Sequence, residues 1–219
     1  MSCPFAQSPR STPNRIPKRS SSERDSIYEV IDAAPLCHVG FTQQEQPFVI
    51  PTLHARSGDT LLFHGSTQSR LLQAIASGRP ICCVFTLLDG IVAARSAMHH
   101  SMNYRSVVAF GTGRLLEDEA LRQQAFRLTT EKLLPGRWET CRQPNEAEAK
   151  ATAIAALMIE EATLKQRSGG PNDIESDLSG PFWAGVLPIQ TVIGKPIPAD
   201  DLPPGVEIPS RIASLTTSG

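Results

Sequence analysis

Apolar residues recur in two periods along this chain, and the switches between them mark its elements. Ile27, Val30 and Ile31 lie three and four residues apart, which predicts a short helix over 25–33. Strand-like runs follow at 36–42, 48–55 and 60–64, separated by a polar break at 43–47 and by the turn Ser57-Gly58-Asp59. Pro51 inside the second run predicts an edge position or a bulge. The period then changes. Leu71 pairs with Ile75 and Leu72 with Ala76 at i,i+4, so 67–77 predicts an amphipathic helix with Gly78 at its C-terminal end.

Residues 81–88 and 91–97 read as two strands joined at Asp89-Gly90, a strong short-range hairpin signal. A long strand over 105–116 is interrupted by Gly111 and Gly113. Two helices are expected next, over 117–133 and from Asn145, where Glu148 three residues on resembles a capping box. Strands at 158–166 and 182–193 complete the pattern. About eight strands with three or four helices predict an α+β fold, mostly antiparallel, with short peripheral helices. Closure into a barrel would remove exposed edges.

Composition divides the chain into three parts. Residues 1–24 carry Arg10, Arg15, Lys18, Arg19 and Arg24 against Glu23 alone, and are rich in Ser and Pro. They read as a poorly ordered basic arm, with anion-binding and targeting readings beside it. Residues 25–196 form the expected domain. Residues 197–219 are a Pro-rich tail. The whole chain has a net charge of −1, which argues against a nucleic-acid partner. The longest uncharged run, 178–194, is interrupted by Pro181 and Pro188, so no membrane span is expected. Five scattered cysteines favour a reducing, cytoplasmic setting over a disulfide framework.

No dinucleotide glycine fingerprint, phosphate loop, zinc-protease helix or serine elbow occurs. Cys82-Cys83 and His99-His100 are adjacent pairs without zinc-site spacing, so no metal is assigned. Three segments carry chemistry. In Leu62 to Arg70 a strand end, small residues and a helix start place Ser66, Thr67 and Ser69 around backbone N–H groups, with Arg70 as a forked cation. That arrangement suits a phosphate, and it equally suits an ordinary capped helix with a solvated Arg. His99 to Val108 is polar and aromatic just before an apolar strand. Trp183 suits core packing or stacking on a planar ligand.

Taken in order, H-G-S-x-x-S-R at 64–70, H-H-S-M-N-Y-R-S-V at 99–107, P-G-R-W at 135–138 and F-W-A-G-V-x-P-I at 182–189 resemble the pyridoxamine 5′-phosphate oxidase-like proteins. Within them the 5-nitroimidazole-reductase-like branch is the most similar. The resemblance runs from about residue 24 to residue 196. It implies an FMN-binding split β-barrel and a homodimer with the flavin between its subunits. Ser69 and Arg70 match the family's phosphate-binding Ser-Arg-Lys, with Leu71 in place of the Lys. The resemblance also assigns Gly65, Ser66, Asn103, Tyr104, Arg105 and Trp183 to the flavin, and puts His64 beside it as the catalytic candidate.

Residues 196–219 contain only Arg211 and no His, whereas true pyridoxamine-phosphate oxidases have an Arg-x-His-x-Arg stretch there. The expected activity is therefore not pyridoxamine-phosphate oxidation. It is FMN-dependent reduction of a small planar acceptor, a nitro compound or quinone, by a reduced nicotinamide. The alternatives are a flavin carrier without turnover, or a haem-binding or haem-degrading split barrel using His64, His99 or His100.

Overall fold

The structure is a computed structural model that describes residues 3–14 and 16–216. Arg15 of the basic arm and residues 217–219 of the tail lie outside them. Among the described residues, nine strands form one antiparallel sheet. They are β1 (Ser20–Ser21), β2 (Cys37–Gln43), β3 (Gln46–Thr52), β4 (Ala55–Ser57), β5 (Thr60–Ser66), β6 (Ile81–Ala93), β7 (Ser101–Leu115), β8 (Thr152–Arg167) and β9 (Gly185–Pro188). The helices are α1 (Arg24–Ala33), α2 (Arg70–Ala76), α3 (Glu119–Leu133), α4 (Glu146–Ala151) and α5 (Ser210–Ala213).

The strand order is β3-β2-β6-β7-β8-β5-β4, with β1 on β8 and β9 on β6. The outer strands β3 and β4 do not pair with each other, so the sheet is an open, split-barrel arrangement. One side of the sheet closes over α1 and α2. Ile27, Val30 and Ile31 of α1 and Leu71, Leu72 and Ile75 of α2 are buried against Phe63, Phe85 and Leu157. A second, smaller cluster packs Ala125 and Phe126 of α3 on Leu62 and Ile154. The capping box at Asn145 is formed, with Glu148 Oε2 accepting from the Asn145 N–H at 2.8 Å and Asn145 Oδ1 from the Glu148 N–H at 2.9 Å. No described helix is long and apolar enough to cross a membrane.

Asp89-Gly90 is not a hairpin. β6 runs through it as one extended strand, and the pairing with β7 only shifts register between Leu88 and Gly90. Two contacts hold the chain straight there. Arg105 of β7 donates to both Asp89 carboxylate oxygens, at 2.7 and 3.1 Å. Gly90 admits β9: a Cβ there would stand 3.0 Å from the Leu187 carbonyl oxygen. Local turn chemistry loses to pairing along both edges of β6. The closing strand expected over 182–193 shortens to β9 for a related reason, since only the part of β6 beyond β2 is left to pair.

The arm expected to be poorly ordered lies along β8. β5 covers one edge of β8 only from Thr152 to Met158. Beyond that point the bridge Ala6–Glu161 and strand β1 take over the same edge. An unpaired strand edge is a strong template for backbone hydrogen bonds, and the arm supplies them. Phe5 is buried beside Tyr28, with rings 6.0 Å apart and edge-on.

Glu161 ties the arm down. Hydrogen bonds from Ser11 and Ser8, both 2.6 Å, and from Arg10 hold its pKa down to about 2. An unfolded Glu titrates near roughly 4.3. This anchor is therefore complete above that value and lost as pH falls through about 2. Hydrogen exchange of the amides of residues 5–12, corrected for intrinsic pH effects, should rise across that window. In Glu161→Gln the arm should already exchange fast at pH 7, with no acid step; an acid step unchanged by that substitution would exclude Glu161 as the anchor.

Candidate functional site

The expected site residues fall into two groups at opposite ends of β8. His64 pairs in register with Ile154 and Ser66 with Thr152, while Tyr104 pairs with Arg167 and Arg105 with Gln166. At about 3.3 Å per residue, roughly 40 Å of strand separates the His64 and Tyr104 partners. One chain does not bring them together.

At the first end, β5 leaves the sheet and turns into α2. Most polar atoms of this turn are spent on the turn itself. Ser69 Oγ accepts from the Leu72 N–H at 3.4 Å as the helix N-cap, and Ser66 Oγ accepts from the Gln68 N–H at 3.2 Å. Gly65 has room, since a Cβ would meet Leu72 Cδ1 at 3.5 Å. Arg70 is exposed, lies over the Phe48 ring at 4.8 Å, and has no carboxylate partner among the described residues. Leu71 belongs to the core, 6% exposed. The residue in place of the family Lys is thus a packing residue, and an ammonium there would be buried. His64 is exposed at the end of β5, and partial desolvation lowers its pKa, which favours the uncharged imidazole.

The second end gathers His99, His100, Asn103, Tyr104, Arg105 and Trp183. Arg105 is engaged by Asp89, and Glu29 stands 3.9 Å away. Asn103 is buried; its Nδ2 donates to the Gly169 carbonyl at 3.1 Å and its Oδ1 accepts from Arg167. Asn103 therefore holds Arg167 in place. His100 Nδ1 is 2.9 Å from the Ser96 carbonyl oxygen, so it carries the ring proton and leaves Nε2 as a free lone pair on an exposed ring. His99 Nδ1 is buried without a hydrogen-bond partner among the described residues.

Trp183 is 68% exposed and lies over Gly185, where a Cβ would come within 2.9 Å of its Cζ2. Phe182, Met98 and Met102 are exposed at the same end. The aromatic read as core packing or stacking is thus not in the core. Arg167 and the arm residues beside it are missing from the sequence-derived site. The only signal for them was the basic excess of the arm.

Comparison with known proteins extends these observations. The family model for pyridoxamine 5′-phosphate oxidase matches residues 23–166. The flavocytochrome Anf3 from Azotobacter vinelandii is 38% identical, with a TM-score of 0.90 over 98% of this chain and 100% of its own. The FAD and haem binding protein from Mycobacterium smegmatis is 36% identical, with a TM-score of 0.85 over 90% of this chain and 97% of its own. A structure assigned to 5-nitroimidazole antibiotic resistance in Bacteroides thetaiotaomicron is 18% identical, with a TM-score of 0.57 over 67% of this chain and 85% of its own, and shows the fold alone. No curated protein matches the chain. The match to the family model across most of the chain, with two relatives above 35% identity over nine tenths of it or more, makes this chain a member of the pyridoxamine 5′-phosphate oxidase family.

Proposed function

We propose that this chain is a flavin- and haem-binding redox protein that works as a homodimer. The observation that carries this reading is the reach of the flavocytochrome match. It extends over 98% of the chain, and so over the arm and the C-terminal segment outside residues 23–166. The nitroimidazole structure covers only 67%. The flavin of this reading is FAD, named for the M. smegmatis relative, in place of the expected FMN. When bound, a flavin takes up an electron pair and a haem passes single electrons. The donor is a reduced nicotinamide, and the acceptor a small planar molecule such as a nitro compound or quinone.

The donor set fits both groups. His100 is oriented as an iron ligand, with Nδ1 fixed by a backbone carbonyl and Nε2 free. His64 is an exposed imidazole at the other end, its pKa lowered by desolvation, and is suited to orient a flavin edge or move a proton there. Arg70 is the charge free to meet a flavin phosphate. Trp183, Phe182, Met98 and Met102 form apolar surface that a planar cofactor or a second copy would cover.

The separation of the two groups supports the dimer of this reading. Pairing the His64 end of one protomer with the Trp183 end of its partner completes a site between them. All five thiols are free, in keeping with a reducing, cytoplasmic setting.

An absorption spectrum of the purified protein, expressed with haem supply, tests the reading. Flavin bands together with a Soret band are expected, and the released flavin should chromatograph as FAD. A flavin spectrum without a Soret band, even after haem addition, returns the chain to flavin-only acceptor reduction. A bare spectrum after both additions refutes the proposal.

A further inference from the structure

A cavity of about 400 Å³ lies where the arm meets the end of β8, lined by Lys18, Arg19, Ser20, Gln166, Arg167 and Asn172 among others. Its volume falls within the roughly 300–1,000 Å³ of small-molecule sites. Three of its lining residues are cationic and none is acidic. Arg167 is 7% exposed, yet its partners are all neutral: Asn103 Oδ1, the Gly169 carbonyl at 3.2 Å and the Gly170 carbonyl at 2.8 Å. A guanidinium that deep ordinarily has a counter-charge, because burying an unpaired charge is costly.

Lys18 and Arg19 have no ion-pair partner among the described residues. The Ser20 hydroxyl oxygen is buried with no hydrogen-bond partner among the described residues. Such orphaned groups are rare in folded proteins and call for an occupant. The short turn Pro17–Arg19 that presents the two cations is entered through Ile16 at φ 55°, a left-handed conformation that a β-branched residue rarely adopts.

We propose that this cavity binds a phosphate-bearing anion of two or more negative charges, a diphosphate being the group it fits best. Arg167 supplies a forked donor pair, Lys18 and Arg19 supply charge from the arm, and the Ser20 hydroxyl and Asn172 amide complete a donor set suited to phosphate oxygens. Cross-strand register sets the cavity beside Tyr104 and Arg105, and Asn103 orients the buried cation. The diphosphate has two sources: the cofactor's own chain, or a nicotinamide dinucleotide that binds separately. The site stands on charge and burial alone, so it does not depend on the flavin and haem reading.

Isothermal titration with inorganic pyrophosphate tests this, on the protein as purified and after removal of its cofactors. Binding that weakens with added salt is expected, and Lys18→Gln with Arg19→Gln should reduce the affinity at least about tenfold, as for two lost charge-assisted contacts. Both positions lie on the arm away from the core, so the unliganded melting temperature should stay unchanged. Arg167→Gln, checked for folding by near-ultraviolet circular dichroism, should lose binding further. Binding only after stripping assigns the site to the cofactor's phosphates, and binding in both forms assigns it to a separate ligand. No binding in either form, or affinity unchanged in the double variant, overturns the proposal. A protein that lacks flavin yet binds pyrophosphate would refute the cofactor reading and keep this one.

Discussion

His100→Ala should abolish the Soret band of the purified protein and leave the flavin bands in place. The expectation rests on tautomer control. A ring nitrogen held by the Ser96 carbonyl at 2.9 Å keeps the proton on Nδ1, and only then does Nε2 offer a lone pair to iron. Ser96 is itself fixed, because its hydroxyl accepts from the Met98 N–H at 3.4 Å and caps the turn that carries His99 and His100. Loss of such a supporting partner costs metal sites about tenfold to a hundredfold in affinity, and loss of the ligand itself should cost more. His64→Ala should keep the Soret band, because among the described residues no carbonyl fixes the His64 ring tautomer as Ser96 fixes that of His100. A band lost in His64→Ala and kept in His100→Ala would move the iron to His64. A band kept in both variants would exclude either histidine as the ligand.

Gly111→Ala should destabilise the fold by at least about 3 kcal/mol, the upper range for overpacking a tightly packed site. For a chain of this size that is a fall of roughly 6–12 °C in melting temperature. At Gly111 the pairing of β7 with β8 shifts register, and the two backbones pass unusually close. A Cβ there would overlap the Met158 carbonyl oxygen and stand 2.9 Å from the carbonyl carbon.

The obstacle is backbone, and it has little freedom to give way. Met158 pairs with Thr112 on one side and Thr60 on the other, in the middle of the sheet. Gly65→Ala is the control: its Cβ would meet Leu72 Cδ1 at 3.5 Å and Ser69 Cβ at 3.9 Å, both ordinary contacts, so its effect should stay within about 1 kcal/mol. A melting temperature for Gly111→Ala within 2 °C of the parent would show that the register shift relaxes more easily than its packing implies.

Gly111 illustrates how sequence and structure divide the information. The sequence marks it as an interruption in a strand, while the reason for it lies on another strand more than forty residues away. Asp89-Gly90 shows the same limit more sharply. Its turn chemistry is strong, but the Arg105 contact and the approach of β9 are long-range facts that a dipeptide does not carry. Leu71 is a third case. Alignment with a family Lys reads it as a missing charge, and the fold makes it part of the core.

What the sequence determined by itself was everything set within about one helical turn. The apolar stripe of α1, the i,i+4 pairs of α2 and the capping box at Asn145 are all local patterns, and the structure contains each of them. Only the tertiary structure decided which edges those elements share. It laid the basic arm on the part of β8 that β5 leaves bare, and it gathered Lys18, Arg19 and Arg167 around one cavity. It also set His64 and Trp183 at opposite ends of the sheet. The physical reason is that β pairing joins residues far apart in the chain, and its backbone hydrogen bonds and side-chain burial outweigh local preference wherever the two conflict.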